Sequence, residues 1–313
     1  MEETSKFTLR QLELFRAAAD HGSFAAAAQS LYLTPNAISL AVRDLERALG
    51  THLCVRQRAR GLTLTPAGVQ LLERARTLLR EADDLYWSVS DAGPKLRGPV
   101  TVGCYSTLAP TVVPPLLQTF NEAHPDVELR IVDGTLDALL APLEAGEIDL
   151  LISYRFSLPR DLEQVVLSET TAHVLLPADH RLARADSVAL DDLARDPLIL
   201  LDLPPSGDHT LDMLARAGAH PKVAHRTSNF ELVRSLVGRG FGYSLLIQRP
   251  RIDVSYEGTT VVTKTISPAL SVEHVVISWP QRMRLTERAR ALVEHARAAV
   301  VSQHWHEDDV QPR

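Results

Sequence analysis

Arginine is concentrated in one short stretch of the chain. Arg43, Arg47, Arg56, Arg58 and Arg60 lie close together, and from Arg47 through Arg60 four arginines occur with no carboxylate before Glu73. A guanidinium is a planar, permanently charged set of donors, suited to phosphate oxygens and, in bidentate pairing, to guanine edges. Asn36 and Ser39 stand just upstream, and a carboxamide can pair with an adenine edge. The competing reading is structural: a solvated hairpin for Arg56 to Arg60, an exposed helix hydroxyl for Ser39, a first-turn capping residue for Asn36.

Other chemistry is poorly represented. No H-E-x-x-H, P-loop or G-x-S-x-G motif occurs, and the 12 histidines are scattered apart from His304 and His306 in the tail, which could chelate a metal adventitiously. Ser206 with a distant His and Asp is the one nucleophilic triad left open, because triads are defined by geometry. Neither a metal site nor a cofactor is expected, and the chain is not read as an enzyme. The two cysteines, Cys54 and Cys104, have no CxxC spacing, which excludes a disulfide framework and a Cys-rich zinc module. Cys104 reads as a small buried hydrophobe or, alternatively, as a redox trigger.

The elements that must carry the arginines are legible from spacing. Leu9, Leu12, Leu14, Phe15, Ala18 and Ala19 predict an amphipathic helix over 8–21, ended by Gly22. Ser23 is placed to cap a short helix over 24–31, and Thr34 a third with Pro35 in its first turn. In that third helix Ala37, Ile38, Ala41, Val42, Leu45 and Leu49 form the buried stripe, so Asn36, Ser39, Leu40, Arg43 and Arg47 are expected outward, with Gly50 as the stop. Two short helices on a tight turn have the form of a helix-turn-helix DNA reader. Strand-like 53–56 and 62–64 around Gly61 add a wing bearing Arg56, Arg58 and Arg60. Ser23 and Thr34, at the helix starts, are counted with the same contact set.

A further helix begins at Pro66, Ala67 and Gly68. Its Leu71, Ala75, Leu78, Ala82, Leu85 and Val89 alternate steps of four and three, the seam of a coiled-coil-like dimer helix. The alternative is a long helix packed on its own domain. Gly93, Pro94 and the Gly98-Pro99 pair mark a boundary, after which strands and helices alternate as in parallel α/β domains. Strands are expected over 100–104, 127–132, 150–153, 172–176, 198–201, 223–226, 243–247 and 272–279. Helices are expected over 108–124, 136–145, 209–217, 230–238 and 286–301. Two lobes with crossing strands would make a cleft.

At 313 residues the chain is long enough for two or three domains, and 45% hydrophobic with 23% charged residues is the mix of a folding globular protein. The net charge of −6 opposes a protein that coats nucleic acid, but residues 1–93 balance at 11 basic and 11 acidic side chains, so the acidity belongs to the remainder. With no apolar run near the ~18 residues of a membrane span, a cytoplasmic location is expected.

Residues 7–68, FTLRQLELFRAAADHGSFAAAAQSLYLTPNAISLAVRDLERALGTHLCVRQRARGLTLTPAG, resemble the winged helix-turn-helix of the LysR-type transcriptional regulators. The most specific pieces are Gly22 to Phe24, Ala37 to Ser39, Leu45 to Gly50 and Leu64 to Gly68. The resemblance implies a DNA-binding domain over 1–65, a linker and dimerisation helix over 66–93, and an effector-binding domain over 97–303 that resembles type II periplasmic binding proteins. Lobe I would take about 97–165 plus 272–303, and lobe II about 166–271, leaving 304–313 as a flexible tail. It also implies promoter DNA, a small-molecule effector between the lobes, and RNA polymerase as partners, with a homodimer or a dimer of dimers as the assembly. Many members open the recognition helix with Ser-Gln-Pro where this chain has Thr34, Pro35 and Asn36, so no glutamine base contact carries over. For the effector, loop residues at helix starts are the candidates: Ser106, Thr107 and Thr135 in one lobe, Ser206, Asn229 and Phe230 in the other, with Tyr154 and Tyr243 at strand edges. Capping or core packing is the alternative for each. Gly238, Gly240 and Gly242 read as a turn.

Overall fold

In the computed structural model, described over residues 6–57, 61–89, 96–156 and 158–302, the chain divides into two compact units, Met1–Pro94 and Lys95–Arg313. The first unit holds α1 (Leu9–Asp20), α2 (Phe24–Ser30), α3 (Pro35–Leu49), a hairpin of β1 (Cys54–Gln57) and β2 (Gly61–Leu64), and α4 (Pro66–Val89). Side-chain oxygens of Thr8, Ser23 and Thr34 each accept a backbone N–H at the start of α1, α2 and α3, and Gly50 closes α3 in a left-handed conformation. These caps satisfy donors that a helix start otherwise leaves free, each worth about 1 kcal/mol. Leu12, Phe15, Ala18, Ala27, Ala28, Ile38, Val42, Leu45 and Leu53 bury themselves as one core.

The hairpin is tied to the helices through its backbone. The Glu46 carboxylate accepts the N–H groups of Leu53 and Cys54 at 2.7 and 3.3 Å, and Leu62 donates its N–H to the Gly22 carbonyl at 2.8 Å. Glu46 is therefore a structural acceptor for the strand and not a free acid opposing the arginines. The Thr65 hydroxyl donates to the His52 carbonyl at 2.7 Å and accepts the Gly68 N–H at 3.0 Å. A Cβ at Gly68 would lie 2.0 Å from the Leu53 carbonyl oxygen, which accounts for the glycine in Leu64 to Gly68.

The predicted seam of α4 divides. Ala75 packs with Leu79 into the core of the first unit, and Arg76 pairs with Asp20, whereas Leu78 and Leu85 are exposed. The first half of α4 thus packs on the body of the helix-turn-helix unit.

The second unit has a sheet in the order β4-β3-β5-β13-β6, from β3 (Gly98–Tyr105), β4 (Val127–Gly134), β5 (Leu150–Tyr154), β6 (Leu162–Thr171) and β13 (Val272–Pro280). Its helices are α5 (Ala109–Ala123), α6 (Leu136–Ala145) and α9 (Glu287–Ser302). β3 pairs in parallel with β4 and β5, but β13 runs antiparallel to β5 and β6, so the lobe is mixed where strand–helix alternation suggested parallel. The other lobe has a sheet β11-β7-β12-β8 and a parallel pair of β9 (Leu198–Leu201) and β10 (Val223–Thr227). The four strands are β7 (His173–Pro177), β8 (Ser187–Val188), β11 (Ser244–Leu246) and β12 (Val261–Ile266), accompanied by α7 (Ser206–Arg216) and α8 (Phe230–Gly238).

β6, β8 and β12 are absent from the spacing-based reading. β6 sits at the sheet edge, so Glu163 and Glu169 alternate through it and dilute its apolar signal. Because Thr171 still pairs with Val272, the chain leaves the first sheet at Ala172, later than the boundary expected at 166, and returns between Ile266 and Val272. One continuous core runs through both lobes of this unit.

Gly68→Ala should destabilise the first unit by about 2 kcal/mol or more, because backbone oxygen cannot yield as a flexible side chain can. Chemical denaturation followed at the helical signal measures it; an unchanged midpoint would remove the close approach as the reason for the glycine.

Candidate nucleic-acid interface and inter-lobe cavity

At about 100° per residue along α3, Asn36, Leu40, Arg43 and Arg47 fall on one side, opposite Ile38, Val42 and Leu45. All four are exposed and the other three are buried. Arg43 Nε donates to the Ser39 carbonyl at 3.4 Å, and Arg47 forms an exposed ion pair with Asp44 at 2.8 Å. Such a pair is weak and leaves Arg47 available to another anion. Ser39 departs from expectation: it is only 6% exposed, lying beside Val42 at the margin of the buried stripe, and is not presented outward. The hydroxyl oxygens of Ser23 and Thr34 accept the N–H groups of Ala26 and Ala37 at 3.1 and 3.2 Å, so both work as caps. Arg56 lies on β1, but its side chain, and the whole of Arg58 and Arg60, fall outside the described residues.

In the second unit a small cavity of about 20 Å³ lies between the lobes, bounded by Thr107 and Tyr154 from the first lobe and by Ser206, Thr210, Phe230 and Gln248 from the second, with Leu201 and the 245–247 segment as its apolar wall. These side chains come from the loop after β3, the end of β5, the starts of α7 and α8, and the segment after β11. The sequence reading named Thr107, Tyr154, Ser206 and Phe230; Thr210, one turn into α7, and Gln248 were missed. Their only sequence signal was a position near an element whose start or end was misjudged, since α7 begins three residues earlier than expected.

Hydrogen bonds close the lobes around this cavity. The Tyr105 hydroxyl lies 3.0 Å from the Leu203 carbonyl, 3.2 Å from that of Pro204 and 2.8 Å from Ser206 Oγ. Burial pushes the Tyr105 phenol up, partly offset by Ser206. Gln248 Nε2 donates to Thr111 Oγ1. Along one wall Tyr154 stacks on Phe156, which stacks on His209 at a centroid separation of 3.8 Å, and His209 Nε2 meets Glu273 Oε1 at 2.9 Å. Burial raises the Glu273 carboxyl, but hydrogen bonds from His209 and Ser271, with the charges of His209 and His274, outweigh it and hold the group below its ordinary range.

The remaining candidates separate from the cavity. Asn229 caps α8, accepting the N–H groups of Glu231 and Leu232 at 3.0 Å each, so its carboxamide oxygen is occupied. Tyr243 is a buried residue of the second lobe, its phenol pushed up to about 12 by burial and by Asp196. Thr135 stands at the start of α6 without a capping bond, and Ser106 is half-buried with its N–H donated to the Gly134 carbonyl at 3.0 Å; neither lines the cavity. Cys104 is fully buried, and burial, with Asp133, pushes its thiol up to about 12, the reverse of what a reactive thiolate needs. His304 and His306 lie outside the described residues; among the described ones no cluster of His, Cys, Asp and Glu could hold a metal, and no helix is long and apolar enough to cross a membrane.

A winged helix-turn-helix unit with a cationic outward face, followed by a two-lobed α/β domain with a cavity between its lobes, defines a ligand-responsive transcriptional regulator. Family models agree: one for the bacterial regulatory helix-turn-helix protein of the lysR family matches residues 9–77, and one for the LysR substrate binding domain matches residues 94–301. The chain belongs to the LysR family and is a LysR-type DNA-binding transcriptional regulator with an effector-binding domain. It is 30% identical over 282 residues to the HTH-type transcriptional regulator TtuA of Agrobacterium vitis, covering 88% of this chain and 92% of that one. With the DNA-binding transcriptional dual regulator OxyR of Escherichia coli it shares 30% identity over 242 residues, 76% of this chain and 78% of OxyR. A solved LysR-family structure from Pseudomonas aeruginosa is 35% identical with a TM-score of 0.63, covering 94% of this chain and 99% of its own. TtuA and OxyR are transcriptional regulators.

Two outcomes follow for the lobe junction. Tyr105→Phe should cost about 1–3 kcal/mol in urea unfolding of the second unit, because it strips a buried carbonyl of its donor; a change below ~0.5 kcal/mol would deny the junction its role. Since the Glu273 carboxyl is depressed on folding, its stabilisation is present above the ordinary carboxylate value of about 4.3 and lost as pH falls through the lower folded value. Glu273→Gln should therefore flatten the acid limb of the stability profile, which thermal melts across that range measure.

Proposed function

We propose that the chain binds promoter DNA as a homodimer, or a dimer of dimers, with Asn36 and Arg43 on base edges and Arg47 and the wing arginines Arg56, Arg58 and Arg60 on phosphates. The observation that carries this reading is the exposed side of α3, where Asn36, Leu40, Arg43 and Arg47 recur at positions that could enter a major groove together. Ser23 and Thr34 act there through the helix starts they cap. Leu78 and Leu85, the latter 66% exposed, support α4 as the surface that joins two copies. The effector occupies the cavity at Thr107, Tyr154, Ser206 and Phe230. By preferring one arrangement of the lobes it changes promoter binding, and with it contact to RNA polymerase, in the cytoplasm. The high-pKa, buried thiol of Cys104 speaks against a redox trigger.

Arg43→Ala should weaken binding to the preferred site by about 1–3 kcal/mol and relax base preference at one position, whereas Arg47→Ala should weaken all sequences alike and reduce the salt slope by about one phosphate contact. Binding selections from random duplexes, repeated at several salt concentrations, separate the two; equal loss on every sequence for both variants would demote Arg43 to a phosphate contact. Leu85→Glu should shift the sedimenting species toward monomer. A Thr210→Leu variant, filling the cavity, should abolish the response of the promoter footprint to a metabolite extract, and a footprint that still responds would place the effector elsewhere.

A further inference from the structure

The outward side of α3 carries one large apolar side chain among its polar ones. Leu40 is 49% exposed, and it stands outside the apolar cluster to which Ile38, Val42 and Leu45 belong on the other side of the helix. Asn36 lies one turn before it, and Arg43 and Arg47 lie one and two turns after, all of them exposed. At about 100° per residue Leu40 falls within about 60° of all three, so a surface that meets any of them meets Leu40 as well. Neither arginine covers it: Arg43 Nε donates to the Ser39 carbonyl at 3.4 Å, and Arg47 pairs with Asp44 at 2.8 Å.

A single leucine on a protein surface needs no explanation, but one in the middle of a nucleic-acid-reading face does. Docking of α3 into a major groove strips water from that whole face. The groove edges of the bases are hydrogen-bond donors and acceptors, with one large apolar group among them, the 5-methyl of thymine. Leucine can neither donate nor accept, so against a guanine or adenine edge it would leave polar groups dehydrated and unpaired. Against a thymine methyl it removes apolar surface from water on both partners.

We propose that Leu40 reads a thymine through its 5-methyl group and is a specificity-determining residue beside Asn36 and Arg43. This rests on the reading of α3 as the helix that enters the major groove and adds an apolar contact to it. Leu40 and Arg43 are about 4.5 Å apart along the helix axis, little more than the spacing of stacked base pairs. The thymine therefore lies within about two base pairs of the base that Arg43 reads.

The test uses a duplex recovered by the full chain from random sequence, in which each thymine in turn is replaced by deoxyuridine. That change removes the methyl and leaves every hydrogen-bonding group. Wild-type binding should fall about three- to fivefold at one thymine of each half-site, the worth of one buried methyl. In Leu40→Gln, which an exposed helix position accepts without loss of folding, thymine and deoxyuridine at that position should bind equally well. Leu40→Met should retain the preference, and thermal melts of both variants should match the wild type.

Wild-type binding indifferent to every deoxyuridine would overturn the proposal. A sensitive thymine that stays sensitive in Leu40→Gln would overturn it too, by assigning the methyl to another side chain such as the exposed Ala37. Indifference of the wild type together with a smaller sedimenting species for Leu40→Gln would instead place Leu40 between two copies of the chain. Relaxed base preference in Arg43→Ala alongside that indifference would leave α3 in the groove and remove Leu40 alone. No enrichment of any sequence would overturn the reading of α3 itself, and the proposal with it.

Discussion

A phenol removed from water must still place its proton, and Tyr105 does so only by reaching out of the first lobe. Its hydroxyl has one hydrogen to give and two backbone carbonyls within reach, of Leu203 and Pro204, with Ser206 Oγ completing the set. The end of β3 is thereby tied to the loop ahead of α7. Once the start of α7 is held there, Thr210 falls into the cavity wall one turn later and His209 is carried against Phe156 and Glu273. The inter-lobe cavity is in this sense a consequence of satisfying one buried hydroxyl: the same tie that brings the lobes together defines the space between them.

The junction mixes interactions of different character. The aromatic contacts from Tyr154 through Phe156 to His209 contribute area, while the His209–Glu273 contact adds a hydrogen bond to a carboxyl held below its ordinary range. A buried ion pair between lobes adds little net stability but is costly to break on one side, so it favours a definite closed arrangement over a continuum of partial ones.

The helix-turn-helix unit was legible in large part, because its signals are local. A capping Ser or Thr, a proline at a first turn, a glycine at a stop and a 3.6-residue apolar period all act within a few residues of themselves. Asn36, Arg43 and Arg47 follow from the period alone. Ser39 did not, since a position beside the buried stripe is decided by how close the neighbouring helix comes. Glu46 is decided the same way: the start of the hairpin folds back onto it, and one carboxylate oxygen accepts the N–H groups of both Leu53 and Cys54.

In the second unit the sequence by itself determined the alternation of strands and helices, the loops at which they turn and the residues Thr107, Tyr154, Ser206 and Phe230. What only the tertiary structure decided was pairing: that β13 runs antiparallel between β5 and β6, that the chain crosses between lobes at Ala172, and that Gln248 and Thr210 share a cavity with residues a hundred positions away. The same holds for Asn229, whose carboxamide oxygen caps its own helix, and for Tyr243, which is buried in the second lobe. The physical reason is that period and capping are properties of neighbouring residues, whereas strand register and the walls of a cavity exist only after distant segments have met.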